Sequence, residues 1–236
     1  SQAVNDWFDR HVDAINEPQR PIPSGRIPGR WGLYIAIFWT AVSLAVATLL
    51  GPWGFGAAVL GLVLAWMYSM PPFRLKNNGW WGNAACAVSY EGLAWFTGSA
   101  VMAGGAMPHP HSILLAALYS AGAHGIMTLN DFKAIEGDRQ MGVQSLPVRL
   151  GVMGAAKVAC WIMALAQLAV VLLLIGWGHT GHALAVGGLL LLQLALMDRF
   201  LDDPRGRAVA YSGVGVTLYV IGMLVSAFAL RSGGGQ

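Results

Sequence analysis

Seven apolar stretches, each near the length that crosses a lipid bilayer, set the terms for this chain: residues 31–50, 56–70, 84–103, 112–129, 154–177, 182–197 and 208–230. A spanning helix takes about 20 residues, within a range of roughly 17–25. The second and sixth stretches fall short of it, so their ends are the least defined. Charge is too scarce for a soluble alternative. Charged residues make up 11% of the 236-residue chain and apolar residues 56%, whereas a soluble domain carries roughly 25% charge. The same scarcity excludes a disordered chain, which is charge-rich and poor in apolar groups. The expected fold class is therefore all-α, a polytopic transmembrane helix bundle. Both cysteines, Cys86 and Cys160, sit inside apolar runs, which leaves no disulfide scaffold and no cysteine-rich metal site.

The segments between these stretches alternate in character. Residues 51–55, 104–111 and 178–181 carry no Lys, Arg, Asp or Glu, while residues 1–30, 71–83, 130–153 and 198–207 hold nearly every charge. Seven crossings place the two sets on opposite faces of a membrane. Of the 14 Lys and Arg residues, all but Arg231 fall on one face, and the positive-inside rule makes that face cytoplasmic. Of the 11 acids, all but Glu91 fall there as well, and Glu91 lies within a span. Topology alone explains the cations. It does not explain acids on the same face, and still less their spacing.

The acids form two clusters. In Asn5-Asp6-Trp7-Phe8-Asp9-Arg10-His11-Val12-Asp13, Asn5, Asp9 and Asp13 are spaced four apart, and Asp6 joins at three and seven. On a helix all four share one stripe. Hard oxygen ligands on one stripe suit Mg²⁺, which takes one or two carboxylates, keeps waters, and completes its shell with substrate phosphate oxygens. A solvated, acid-rich helix end is the plain alternative. The second cluster, Asn130-Asp131-Phe132-Lys133-Ala134-Ile135-Glu136-Gly137-Asp138-Arg139, follows an apolar stretch directly. Asp131 and Asp138 are seven apart, one face of a continuous helix, with Lys133 and Arg139 beside them. Acids that hold Mg²⁺ and bases that take the remaining phosphate oxygens together describe a metal–diphosphate site.

These residues resemble the UbiA superfamily of intramembrane prenyltransferases. The first motif of that family reads N-D-x-x-D-x-x-x-D, and Asn5, Asp6, Asp9 and Asp13 match it in full. Arg20-Pro21-Ile22-Pro23-Ser24-Gly25 is similar to the loop that follows it. The second family motif is D-x-x-x-D; Asp138 fits its last position, but Ala134 stands at its first. Residues 68–80 (YSMPPFRLKNNGW), residues 130–138 and the later Gln144-Ser145-Leu146-Pro147 resemble the subgroup of chlorophyll and bacteriochlorophyll synthases, in which a small residue at position 134 is ordinary. The resemblance implies nine spans for the family. It implies that residues 1–236 are a single intramembrane prenyltransferase domain that begins at the tail of span two and would lack the first span and most of the second.

The resemblance also implies a reaction: esterification of a (bacterio)chlorophyllide with a geranylgeranyl or phytyl group from the prenyl diphosphate, at the cytoplasmic side of a bacterial inner (photosynthetic) membrane. The expected cofactor is Mg²⁺. The expected partners are the two substrates and the lipid bilayer, with no nucleic acid. An allylic diphosphate ionises once the charge on its leaving oxygen is neutralised, and the carbocation needs a dry chamber. The acceptor carboxyl is already an anion at neutral pH, so no strong base is required. On this reading Asn5, Asp6, Asp9 and Asp13 hold the first Mg²⁺ and Asp131 and Asp138 the second. Lys133, Arg139, Arg20 and Lys76, with Arg74 as the alternative to Lys76, meet diphosphate, and Tyr68 meets it or sits in an interfacial belt.

Glu91 and His124 are ionisable groups inside spans and so candidates for substrate contact. His124 precedes Asp131 by seven residues, on the same face; it would ligate the central metal of a chlorin, bond its rim, or bond a neighbouring helix. His109, His111, His179 and His182 lie on the opposite face with no tetrahedral set evident. Two other readings stand beside this one. A quinone-precursor or haem prenyltransferase would use the same scaffold. An ion transporter would use the acids as a pathway, although transporters place such groups near the midplane rather than at one edge.

Overall fold

The computed structural model describes residues 1–233, and it is helical almost throughout. Among the described residues, five stretches are long and apolar enough to cross a membrane: Trp31–Ser69, Pro110–Asp131, Leu146–Gly176, Thr180–Asp202 and Pro204–Arg231. The sequence divides the apolar residues into seven, and the difference lies at two places. The 39-residue stretch Trp31–Ser69 is two helices, α2 (Trp31–Ala47) and α3 (Gly51–Ser69), joined by one tight turn. Gly51 there has φ +76°, and a Cβ on it would stand 2.9 Å from the Gly105 Cα, so only glycine fits the corner. The apolar stretch 84–103 is broken into α4 (Gly79–Ala87), a π-helical turn (Val88–Gly92) and α5 (Leu93–Met102), and no piece of it reaches spanning length on its own.

The chain divides into two compact units. The first comprises Ser1–Lys76 and Phe96–Pro108. It holds α1 (Gln2–Asn16), α2 and α3, which pack on one another. Apolar residues of α1 face inward: Val4 is buried, and Phe8 meets Trp66 of α3 edge to face at 6.2 Å. This burial fixes which side of α1 is left for the acids.

The second unit comprises Asn77–Trp95 and His109–Gln236. Its long helices are α6 (Pro110–Asp131), α8 (Leu146–Gly176), α9 (Thr180–Asp202) and α10 (Pro204–Gly233), with the short α7 (Ile135–Gln140) between α6 and α8. Small residues bring α6 and α8 together: Ala155, Ala156 and Ala159 are fully buried, as expected where helices associate by close backbone approach rather than by hydrophobic exclusion from water. Aromatic rings fill the wider gaps. Phe132 meets Phe200 edge to face at 5.8 Å, and Phe200 stacks on Tyr211 at 5.1 Å. The α8 helix is kinked at Gly151.

One further tie positions the functional elements of this unit. The Gln144 N–H donates to the Asn77 carbonyl and the Gly79 N–H donates to the Gln144 carbonyl, each at 2.8 Å. The Asn78 side chain caps α4 by accepting from the Trp80 and Trp81 N–H groups at 3.0 and 3.4 Å. A Cβ on Gly79 would stand 2.4 Å from the Leu146 nitrogen, so the start of α4 seats directly against the N-terminus of α8.

Candidate active site

The first acidic cluster is one continuous helical face, as its spacing predicts. All four polar residues lie on α1, and each is tied. Asn5 Nδ2 donates to Asp9 Oδ2 at 2.9 Å and to the hydroxyl of buried Ser69 at 3.0 Å. Lys76 Nζ bonds Asp9 Oδ1. Arg20 Nη1 donates to Asp13 Oδ2 at 3.2 Å and reaches Asp6 Oδ1 at 3.5 Å, while its Nε bonds Glu17. The repulsion of three carboxylates on one stripe is thus balanced by two side-chain cations. Burial raises the Asp13 pKa above the ordinary carboxylate value, with the Arg20 charge opposing. Tyr68 sits in the last turn of α3 beside Ser69. Arg74 is exposed, with φ +39°, a left-handed conformation uncommon outside glycine.

The second cluster differs from the expected continuous helix. The α6 helix ends at Asp131, and Ala134 N bonds Asp131 O at 3.1 Å in a turn before α7 restarts with Asp138 N on Ala134 O at 2.8 Å. Residues 131, 134 and 138 therefore do not lie along one helix, and the one-face relation of Asp131 to Asp138 is lost. The turn buries Phe132 and Ile135 and leaves Lys133 outward. Asp131 instead accepts from Asn83 Nδ2 at 3.1 Å, and Asn83 Nδ2 also meets Thr128 Oγ1 at 3.3 Å. The Leu146 N–H, at the start of α8, is a further donor to Asp131. Asp138 is half-buried, and burial raises its pKa above the usual carboxylate value, outweighing the lowering effect of Ser145. Lys133 and Arg139 are exposed. Glu136 points away into an exposed pair with Arg205 at 2.8 Å.

The two intramembrane candidates have distinct settings. Glu91 lies in the π-helical turn Val88–Gly92, half-buried. His124 Nε2 bonds the Trp80 carbonyl at 3.1 Å, the neighbouring-helix bond among the expected alternatives. Three contributors were not singled out by sequence: Ser69, Glu17 and Asn83. Asn83 carried a signal, since an amide next to an apolar stretch needs a buried partner. Ser69 and Glu17 carried none.

Among the described residues, no three His, Cys, Asp or Glu side chains converge into a closed metal cage. Closure is not what Mg²⁺ requires, since one or two carboxylates per ion suffice, and the donors are hard oxygens held at the ends of apolar helices. The residues fit a divalent cation that is completed by phosphate.

The profile of the UbiA prenyltransferase family matches residues 1–221. The chain belongs to this family. It is an integral membrane prenyltransferase of a family whose members depend on a divalent metal. It is 61% identical over 231 residues to the bacteriochlorophyll synthase 33 kDa chain of Cereibacter sphaeroides, covering 98% of this chain and 76% of that one. It is 54% identical to the protein of the same description from Rhodobacter capsulatus, covering 98% and 77%. It is also 40% identical to the chloroplastic chlorophyll synthase of Oryza sativa, covering 97% and 62%. The UbiA fold is matched by a solved digeranylgeranylglyceryl phosphate synthase structure at TM-score 0.76 and 21% identity, over 97% of this chain and 80% of that one. A UbiA homolog from Aeropyrum pernix K1 matches at TM-score 0.68 and 18% identity, over 98% and 83%.

Proposed function

We propose that this prenyltransferase esterifies the propionate of a chlorophyllide or bacteriochlorophyllide with a geranylgeranyl or phytyl group. The observation that carries the reading is the 61% identity over nearly the whole chain to a bacteriochlorophyll synthase, joined to acid clusters whose donors suit a diphosphate-bound cation. We take residues 1–236 as one functional domain, with Mg²⁺ as the metal. Asn5, Asp6, Asp9 and Asp13 offer oxygens to one ion, and Asp131 and Asp138 to another. Bound Mg²⁺ would neutralise charge on the diphosphate leaving group.

The chain's own residues do the rest. Arg20 and Lys76 hold the α1 carboxylates in order, and both are positioned to turn to phosphate oxygens when a cation takes the acids. Lys133, Arg139 and Arg74 face solvent with free reach for diphosphate, and Tyr68 offers a hydroxyl at the end of α3. Asn83 fixes the rotamer of Asp131 through a neutral bond that adds no charge. The propionate oxygen forms the new bond to the allylic carbon as the carbon–oxygen bond to diphosphate breaks. No proton moves, so the step needs no general base. Apolar helices keep water from the carbocation. The charge asymmetry supports a cytoplasmic active site in a bacterial inner membrane.

The test is incubation of membranes containing the protein with Mg²⁺, a prenyl diphosphate and a chlorophyllide, followed by pigment separation and alkaline hydrolysis. An ester releases the prenyl alcohol on saponification. A prenylated product that resists alkali would replace this reading with carbon alkylation, the chemistry of a quinone-precursor or haem prenyltransferase.

A further inference from the structure

Trp80 lies in the first turn of α4, and His124 holds it from two sides. The imidazole ring lies against the indole with centroids 5.5 Å apart and planes tilted by 31°, while Nε2 bonds the Trp80 carbonyl at 3.1 Å. A carbonyl only accepts, so Nε2 carries the proton and Nδ1 is bare. That bare nitrogen is enclosed and has no hydrogen-bond partner among the described residues, an arrangement that costs stability and calls for a reason. It yields a tryptophan whose backbone and ring are both fixed. Trp80 nonetheless keeps 37% of its surface exposed.

The pair also shares a seam with the second acidic cluster. Asn83, three residues on from Trp80, reaches Thr128 and Asp131, which follow His124 by four and seven residues along α6 and so share its face.

We propose that Trp80 is a stacking wall for the flat tetrapyrrole acceptor and that His124 is its positioning residue. The inference rests on the acceptor assigned under the proposed function. A rigid, half-open indole suits offset stacking on a macrocycle. It does not suit the lining of a carbocation chamber, which has to be closed to water. Neighbouring Trp81 serves as the comparison. It is 65% exposed and makes no aromatic contact among the described residues, as befits an interfacial anchor.

The test titrates purified protein in detergent with a chlorophyllide alone, read by the absorption shift of the pigment, and then measures KM for each substrate. Trp80→Ala should weaken chlorophyllide binding by about tenfold, the upper end of an aromatic stacking contribution. KM for the prenyl diphosphate should not change, which also shows that the variant is folded. Trp80→Phe should bind nearly as the wild type does, and Trp81→Ala should bind unchanged. His124→Phe should weaken binding, and His124→Gln, whose amide can still donate to the Trp80 carbonyl, should restore it. The proposal is overturned if Trp80→Ala binds chlorophyllide normally, or if Trp80→Ala and Trp81→Ala lose binding equally. It is also overturned if Trp80→Ala instead releases prenyl alcohol by hydrolysis. A wild-type protein that binds prenyl diphosphate but no chlorophyllide would refute the acceptor assignment itself, and this inference with it.

Discussion

The two acidic clusters solve the same electrostatic problem by different means. On α1 the carboxylates are balanced by charge: Arg20 between Asp6 and Asp13, Lys76 on Asp9. At the α6–α7 turn, Asp131 is held by neutral donors, the Asn83 amide and the Leu146 N–H, while the neighbouring Lys133 and Arg139 face outward. On the proposed reading, the ion-paired acids would give up their partners to a cation and leave two bases free for phosphate. Acids bound by amides and N–H groups keep their geometry whether or not a cation is present. The first cluster is thus built to exchange partners, the second to hold position.

The largest expected effect comes from breaking the first cluster. Asp9→Ala should lower turnover by about a hundredfold or more, at the upper end of losses seen even for outer-shell metal partners. Membrane insertion and helix content should persist, because the Asp9 side chain meets the polar Lys76 and Asn5 side chains rather than the apolar face of α1. Circular dichroism and a Mg²⁺ titration check this, and an active variant with unchanged Mg²⁺ dependence would take Asp9 out of the metal site.

Next in size is the second cluster. Asp131→Asn should raise the Mg²⁺ requirement by about tenfold or more, and Asn83→Ala by a smaller factor, since it leaves the carboxylate present but unheld. If Asn83→Ala proves more damaging than Asp131→Asn, Asn83 serves the fold rather than the acid.

A third and smaller effect is in pH. Burial raises the pKa of both Asp13 and Asp138. Each therefore keeps its proton to a higher pH in the folded protein than in the unfolded chain. In the metal-free protein these two groups favour the folded state at low pH, and that contribution is lost as pH rises through their folded values. Mg²⁺ binding runs the other way, because protons compete for the same oxygens. Thermal midpoints measured with chelator should fall slightly as pH rises from the ordinary carboxylate range, and the Mg²⁺ concentration for half-maximal rate should climb as pH falls into it. A thermal midpoint that rises with pH in chelator, or a Mg²⁺ requirement that does not climb as pH falls, would contradict the assignment. The smallest effect belongs to Glu136→Gln, which breaks only an exposed pair with Arg205 worth about 0–1 kcal/mol. A raised Mg²⁺ requirement in that variant, with Asp131→Asn unaffected, would move the second site from Asp131 to Glu136.

The helical membrane architecture was legible because scarcity of charge and length of apolar runs admit few other outcomes. The α1 stripe was legible for a local reason: every member lies on one uninterrupted helix, so spacing alone sets geometry. The second cluster was not. Nothing in Phe132-Lys133-Ala134 signals a stop, with neither glycine nor proline present. The break comes with the tertiary burial of Phe132 against Phe200 and of Ile135 in the core, contacts made across the sequence. The π turn around Glu91 was equally silent, since a helix of the same composition would read the same without it. Asn83 shows the intermediate case: its polarity next to an apolar run announced a partner but could not name Asp131.

The tie between Asn77–Gly79 and Gln144 bears on the order in which the protein becomes competent. It joins residues 65 apart, from Gly79 to Gln144, into a closed loop that contains α4 to α7. A contact of such sequence separation forms only after the intervening chain has folded back, and synthesis delivers the N-terminal part first. The α1 cluster can assemble as soon as α3 and Lys76 have emerged. Asp131 gains its α8 donor only once Gln144 and Leu146 have been made and docked. The nascent enzyme thus completes the carboxylates of α1 early and those of the α6–α7 turn late. A ribosome stalled between Lys76 and Gln144 would carry the first set without the second.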